Sequence, residues 1–460
     1  MSSWTKYKLE EVVSFSQGFQ ISTDQQYSNC QNGMNRFIRI VDYTNPNEEP
    51  RYIKDISPKY WVNANDVVMI RYGSNTAGKV VRGFSGYIAN NMFKVNVCDE
   101  NFLNKEFLYY FLSQPLIYEY LMSSQSSSTM PAIKFGDLYK LDIFIPPMET
   151  QLNIVDYLNV INDKIQLNTQ INQTLEQIAQ TIFKSWFIDF DPVHAKANAR
   201  ASGQTAEQAT QAAMTVISGK NTQELHRSQT ANPEQYQQLW EIAEAFPSGF
   251  DEEGVPWGWE QTTLSEVCSM KNGYAFKSSD WTEEGIPVIK IGSVKPMIVE
   301  VDGNGFVDEE HSVLHSEFLL TEGDIVVGLT GYVGEVGRIP QGRTAMLNQR
   351  VAKFIPNKLN EQQDYYSFVY CLVRDKSFKA FAETNAKGSA QANISTKELL
   401  NYSIILASSE IQMKFESLIK PLLDKILVNS GNNENLSKVR DLLLPKLLSG
   451  ELNGLPEKTI

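Results

Sequence analysis

The sequence predicts an α+β chain: two similar globular α/β domains separated by two long antiparallel coiled-coil helices, an internal repeat with pseudo-two-fold character. Three observations carry this reading. Residues from about 4 to 186 recur in the same order from about 259 to 447, too long a period for a solenoid. Each copy ends in a long stretch of helical apolar spacing. The length of 460 residues exceeds what one hydrophobic core of ~250 residues holds.

The repeat is traced by anchor residues. Trp4, Leu9-Glu10-Glu11-Val12 and Gly18 return 255 positions later as Trp259, Leu264-Ser265-Glu266-Val267 and Gly273. Asn65-Asp66-Val67-Val68 returns 258 later as Gly323-Asp324-Ile325-Val326, and Glu149-x-Gln151 returns 261 later as Glu410-x-Gln412. Small loop insertions account for the drift.

Residues 1–147 form the first module. Short β-branched and aromatic runs at Arg36–Val41, Asp66–Arg71, Lys79–Arg82 and Phe93–Val97, separated by Gly, Asn and Pro, predict strands. Phe107, Leu108, Phe111 and Leu112 predict a helix over Lys105–Leu121. Ile143-Phe144-Ile145 predicts a strand ended by Pro146-Pro147.

Residues 148–190 predict the first long helix. From Glu149 to Phe190 there is no Gly or Pro, enough for a rod of roughly 60 Å. Ile154, Leu158, Ile161, Ile165, Ile171, Leu175, Ile178 and Ile182 follow 4-3-4 spacing with one six-residue step, a coiled-coil seam. Residues 191–255 fit neither copy and predict a partly helical linker, rich in Ala, Gln and Ser over Ala195–Thr215, with an amphipathic helix marked by Tyr236, Trp240, Ile242 and Phe246. Residues 256–407 form the second module. Residues 408–448 predict the second long helix, whose seam 261 positions on is Phe415, Ile419, Leu422, Ile426, Asn432, Leu436, Val439 and Leu443. Gly431-Asn432-Asn433 predicts a bend or short loop there. Residues 449–460 read as a frayed tail.

Composition narrows the function. The net charge is −13, unlike the basic footprint of a strong stand-alone nucleic-acid binder. The acidity is uneven: residues 1–147 hold 14 Lys and Arg against 14 Asp and Glu. No run of ~18 apolar residues predicts a membrane span, and no secretory signal opens the chain. Cys30, Cys98, Cys268 and Cys371 are scattered singly, which argues against zinc and disulfides and for a cytoplasmic protein.

Catalytic signatures fail on inspection. Gly73-Ser74-Asn75-Thr76-Ala77-Gly78-Lys79 satisfies GxxxxGK, but Val80 stands where Ser or Thr would hold Mg²⁺, and a strand pattern follows instead of a helix. The repeat carries Gly331-Tyr332-Val333-Gly334-Glu335-Val336-Gly337-Arg338, without the motif. A glycine-rich hairpin presenting Lys79 and Arg338 is the better reading. His311 and His315 stand four apart among glutamates, a solvated surface rather than a metal centre. No amino-methyltransferase tetrapeptide occurs. The chain predicts no catalytic residue and no metal.

Binding chemistry is better supported. The first module places Arg71, Ser74, Asn75, Lys79, Asn90, Asn91 and Lys134 near turns. The second places Thr330, Tyr332, Arg338, Asn348, Gln349, Arg350, Lys387, Ser389 and Gln391. Arg with Asn or Gln reads guanine and adenine edges, and Ser, Thr and Lys suit phosphates.

Taken with Ser185-Trp186-Phe187-Ile188-Asp189-Phe190-Asp191-Pro192, Pro247-Ser248-Gly249-Phe250, Pro256-Trp257-Gly258-Trp259 and Leu444-Pro445-Lys446-Leu447-Leu448-Ser449-Gly450, this architecture resembles the specificity subunit of Type I restriction–modification systems along essentially the whole chain. The resemblance implies that each module is a target-recognition domain reading one half of a bipartite double-stranded DNA target. It implies that the coiled coil sets the spacer and docks two modification (methyltransferase) subunits, with Phe183, Trp186 and Phe187 as docking residues, and that restriction subunits join. It places S-adenosylmethionine in the modification subunit, ATP and Mg in the restriction subunit, and no cofactor in this chain. Two rivals stand beside it: a coiled-coil scaffold for protein partners, and a stand-alone DNA methyltransferase or nuclease with built-in recognition.

Overall fold

The computed structural model describes residues 4–45, 48–73, 76–123, 132–388 and 391–452. The chain divides into two compact units, Met1–Ile165 with Asn435–Ile460, and Gln166–Glu434.

Among its described residues unit 1 contains ten strands: β1 Thr5–Lys8, β2 Val13–Gln17, β3 Met34–Ile38, β4 Arg51–Lys54, β5 Trp61–Val62, β6 Val67–Ile70, β7 Val80–Val81, β8 Gly86–Ile88, β9 Met92–Val97 and β10 Asp142–Ile145. They form sheets β2-β9-β6-β7 and β4-β3-β8-β5 and the pair β1-β10. β3 and β8 run parallel, Phe37 opposite Tyr87. The other pairs are antiparallel. Leu9, Met69, Phe93, Phe107 and Leu108 centre one core, Phe37, Ile53, Val68 and Met92 the other. β6 serves both, because alternate side chains point to opposite faces. The single helix expected over Lys105–Leu121 is two, Lys105–Leu112 and Pro115–Ser123. Pro115 lacks the N–H that a continuous helix needs and starts the second one instead.

Among its described residues unit 2 contains twelve: β11 Glu260–Thr263, β12 Cys268–Asn272, β13 Trp281–Thr282, β14 Ile286–Ile289, β15 Met297–Ile298, β16 Phe306–Val307, β17 Leu319–Leu320, β18 Ile325–Gly328, β19 Val336–Arg338, β20 Ala345–Leu347, β21 Val351–Pro356 and β22 Ser403–Leu406. The sheets are β12-β21-β18-β19-β15 and β13-β16-β14-β20-β17, with the pair β11-β22. The parallel pair returns as β14 with β20, Val288 opposite Met346. β13 and β15 are additions to the ten-strand plan.

The repeated aspartates now have a cause. Asp66 accepts the Asn63 backbone N–H at 2.8 Å and pairs with Lys94 at 2.6 Å. Asp324 accepts from Thr321 N–H at 2.8 Å and pairs with Lys353 at 2.7 Å. Each closes the turn that launches the central strand of its sheet.

The first long helix is Met148–Phe187 and the second Ser409–Ser449. The Gln151 side chain anchors the first: its oxygen accepts the Asn104 N–H at 2.8 Å, and its amide donates to the Phe102 and Pro146 carbonyls, both at 2.9 Å. The short loop expected at Gly431-Asn432-Asn433 is absent; the second helix is continuous through it. Gly431 is buried, and a Cβ there would come within 3.1 Å of the Gln341 side chain, so the glycine permits close packing rather than a break. A glycine costs a helix about 1 kcal/mol, which the bonds of its neighbours to the first helix offset.

Within each unit the two helices pack antiparallel, but the seam differs from the one expected. In unit 1, Ile154, Val155 and Leu158 share a core with Leu444, Leu447 and Leu448. In unit 2 the seam moves onto Asn168, Asn172, Glu176, Ala179 and Phe183, all buried. Ile178 is 41% exposed, and its repeat partner Val439 is 46% exposed; both leave the expected seam. Asn172 donates to Ser430 Oγ at 3.3 Å and accepts from Asn429 at 2.9 Å, while Asn168 donates to Asn433 at 2.9 Å. A polar layer thus sits inside the helix pair.

The middle segment is more than a linker. Helices Asp191–Ala201, Ala206–Ser218, Thr222–Ala231 and Pro233–Ala245 enclose Ala213, Met214, Leu225 and Ala243. The buried Lys196 ammonium donates to the carbonyls of Ala243 at 3.2 Å, Glu244 at 2.9 Å and Phe246, ending the last of these helices. Such a cation complements the helix C-terminus.

Candidate nucleic-acid interface

In each unit the same three segments meet at one end of a sheet: the end of the second strand, the turn leaving the central strand, and the turn before the last long strand. A glycine makes the meeting possible. A Cβ on Gly18 would lie 2.2 Å from the Ala89 carbonyl oxygen, and one on Gly273 2.1 Å from that of Asn348. Beside these crossings, Phe19 N–H donates to Ile88 at 2.8 Å and Tyr274 N–H to Leu347 at 2.8 Å. Arg71 N–H donates to Asn91 at 2.8 Å, as Leu329 N–H does to Arg350 at 3.0 Å. Asn90 therefore occupies the place of Gln349, and Asn91 that of Arg350. The frame repeats while the residues it presents do not.

In unit 1 this brings together Arg71, Asn90, Asn91 and Lys134. Arg71 donates to Gln17 Oε1 at 2.7 Å, and its guanidinium carbon lies 5.2 Å from the Phe135 ring. Gln17 in turn donates to the Asn90 carbonyl, and Asn90 to Gln20 at 3.2 Å. Arg71 Nε and Asn91 Oδ1 are buried and find no hydrogen-bond partner among the described residues. Lys134 is exposed. Ser74 and Asn75 lie outside the described residues. Lys79 is exposed but lines a cavity with Tyr118 and Arg440 instead.

In unit 2 the same place gathers Thr330, Asn348, Gln349, Arg350, Lys387 and Gln391. Gln349, Arg350, Lys387 and Gln391 are exposed, and Tyr332 is 71% exposed beside them. Thr330 Oγ1 donates to Asn393 at 2.9 Å, and Lys387 exchanges backbone bonds with Asn393. Lys387 is held by Glu398 at 2.6 Å, and its ammonium, with the Ser395 groups, pulls the Glu398 carboxyl down to about 2. Ser389 lies outside the described residues.

Two expectations fail. Arg338 is fully buried: it donates to the Leu423 carbonyl at 3.1 Å and its guanidinium lies 4.4 Å from the Tyr370 ring. No DNA can reach it. Val326 faces Gly337 where Val68 faces Val81, so its counterpart is Arg82, which stacks 4.0 Å from the Tyr109 ring. Phe183, Trp186 and Phe187 are also buried, packed within unit 2 against Phe415, Phe368, Phe246 and Trp259. Their aromatic area fills a core and is not free to dock a partner.

Gln17, Gln20, Tyr274 and Asn393 belong to these sites and escaped the sequence reading. Tyr274 stacks on His315 at 4.2 Å. A signal existed: Gln17 and Asn272 directly precede the repeated glycines, and Phe19 and Tyr274 directly follow them. No group of three His, Cys, Asp or Glu suited to a metal occurs among the described residues. No helix among them is long and apolar enough to cross a membrane.

The profile of a family described as Type I restriction modification DNA specificity domain matches residues 1–177 and 256–438. The chain is 31% identical to the Type I restriction enzyme HindI specificity subunit of Haemophilus influenzae, over 98% of this chain and 100% of that protein. It is 27% identical to the Type I restriction enzyme MjaIX specificity subunit of Methanocaldococcus jannaschii, over 79% of this chain and 74% of that one. The crystal structure of the Type I restriction–modification S subunit from M. genitalium shares the fold, with a TM-score of 0.51 at 16% identity, covering 99% of this chain and 97% of that chain.

Proposed function

Because the chain belongs to the family of Type I restriction–modification DNA specificity proteins, we propose that it selects the DNA site for such a complex, each module reading one half of a bipartite duplex target. The observation that carries this is the contrast between frame and presented residues. Gly18 and Gly273 fix the same crossing, while Asn90-Asn91 stands where Gln349-Arg350 stands. Two unlike reading surfaces on one repeated scaffold suit two unlike half-sites. On this reading the Arg350 guanidinium suits a guanine edge, and the amides of Asn90, Asn91 and Gln349 suit adenine.

On this reading the chain recognises and does not catalyse. It works in the cytoplasm with two modification subunits, which hold S-adenosylmethionine, and with restriction subunits, which use ATP and Mg. Partner subunits supply much of the phosphate binding, which suits the acidic net charge. The paired long helices set the distance between half-sites.

The test is a genome-wide map of methylated sites in cells with and without this gene. A two-part motif that disappears with the gene supports the reading. Replacing residues 1–147 with another family member's module should change one half-site and leave the other. A change in both halves, or in neither, refutes the assignment.

A further inference from the structure

The two modules differ along one sheet edge. In unit 2, β19 is flanked by β18 and β15, and Val336, Gly337 and Arg338 are buried. Among the described residues its counterpart β7 ends its sheet, and Val80 and Val81 are only half-buried. An edge strand presents backbone N–H and C=O groups to whatever can pair with them.

A second difference lies beside the first. In unit 2 the Arg374 guanidinium fills the space next to β19, bonding Glu176 at 3.1 Å, lying 3.7 Å from Glu335 and donating to the Val336 carbonyl at 3.4 Å. The helices Lys105–Leu112 and Tyr366–Arg374 correspond, for Glu106-Phe107 and Ser367-Phe368 are the capped amides of each. That register puts Ser113 where unit 2 has Arg374, and Lys79 where it has Glu335. The result in unit 1 is a cavity of about 690 Å³ along β7, lined among others by Lys79, Arg82, Tyr109 and Arg440. Arg82 lies 3.4 Å from Glu106, and Arg440 bonds Asp441 at 2.8 Å and Asn162 at 3.0 Å. Lys79 makes no ion pair with a described residue. Three cations thus face two carboxylates, and the plug is missing.

We propose that the β7 edge of the first module is a docking groove for an extended acidic peptide segment of a partner protein. The segment adds as a strand beside β7 and sets a carboxylate among Lys79, Arg82 and Arg440. Unit 2 supplies the template: β15 runs parallel to β19 with Met297 opposite Gly337, and Glu300 and Asp302 follow it. Main-chain bonds give such strand addition its affinity, and the charged slot gives it choice. The proposal holds whatever bases the modules read.

The full chain is titrated with a labelled synthetic peptide copying residues 294–302 and with a control in which lysines replace its acidic residues. The acidic peptide should bind and slow amide hydrogen exchange over residues 79–82. Ser113→Arg, which rebuilds the plug, should weaken binding about tenfold or more, and Arg440→Ala severalfold. Thermal unfolding of both variants is recorded beside binding; if the arginine does not fold, the alanine variant decides. Absence of binding, equal binding by the folded variants, or protection elsewhere overturns the proposal. Displacement of the peptide by a short DNA duplex also overturns it, and assigns the slot to a nucleic-acid backbone.

Discussion

Arg338 and Arg350 lie on one short stretch of chain and serve different ends. One is buried in a core, the other exposed on a turn. Arg338→Ala should cost roughly 2–4 kcal/mol of stability through lost packing, while the folded fraction keeps its DNA affinity. Arg350→Ala should leave thermal unfolding within ±0.5 kcal/mol and weaken discrimination by about 1–3 kcal/mol at one base position. Denaturation curves and binding to matched and mismatched duplexes, measured with the partner subunits present, separate the two; the reverse pattern would undo the site assignment. Glu416 offers a pH test. Its carboxylate accepts the N–H groups of Ser367 and Phe368, both at 2.9 Å, and burial pushes it up to about 7. A carboxyl raised on folding disfavours its charged form in the folded state. Its contribution is therefore fully present below the ordinary 4.5 and is lost as pH rises toward about 7, by up to about 3 kcal/mol. Glu416→Gln should flatten the stability profile across that window; a profile parallel to wild type would show that another group titrates.

At the scale of elements, the long helices were legible and their seam in part: Ile154, Leu158, Ile161, Phe415, Ile419 and Ile426 are buried as expected, whereas Ile178 and Val439 are exposed. The stretch free of Gly and Pro fixes the first helix, and the repeat fixes the second. The seam was sought in apolar residues, yet from Asn168 to Glu176 it is polar, and periodicity of apolar residues cannot see it. Ile178 offered a false continuation. The same blindness hid Arg338, because a cation in a glycine-rich stretch reads as surface until the strand register shows what covers it. Asp66, Gly18 and Gln151 were legible as anchors because each returns in the second copy, although their bonds were not. The polar layer carries its own prediction. Polar residues at seam positions fix register at some expense of stability. Asn172→Ala leaves the Asn429 amide without its acceptor and should cost about 1–3 kcal/mol. Replacing Asn172 and Asn429 together with leucine should restore stability but loosen register, read as methylation at sites with altered spacers. Retention of a single spacer by the double variant would argue that register is held elsewhere.

At the scale of the molecule, the division into units does not follow the division into modules. Unit 2 is one continuous stretch, Gln166–Glu434, whereas unit 1 is assembled from the two ends of the chain. Removing everything after Glu434 should therefore damage the first module, far away in sequence. Limited proteolysis of such a truncated chain should attack residues 1–165 and spare 166–434. Equal resistance of both would show that the first module needs nothing from the second helix.

The packing of Leu444, Leu447 and Leu448 into the core of the first module, and of Gly450 against the Trp4 ring, also has a temporal side. On the ribosome, residues 1–165 emerge first but find their last core side chains only after all of unit 2 has been made. For that interval the faces of Ile154, Val155 and Leu158 that meet these leucines remain uncovered, so the module translated before unit 2 is completed after it.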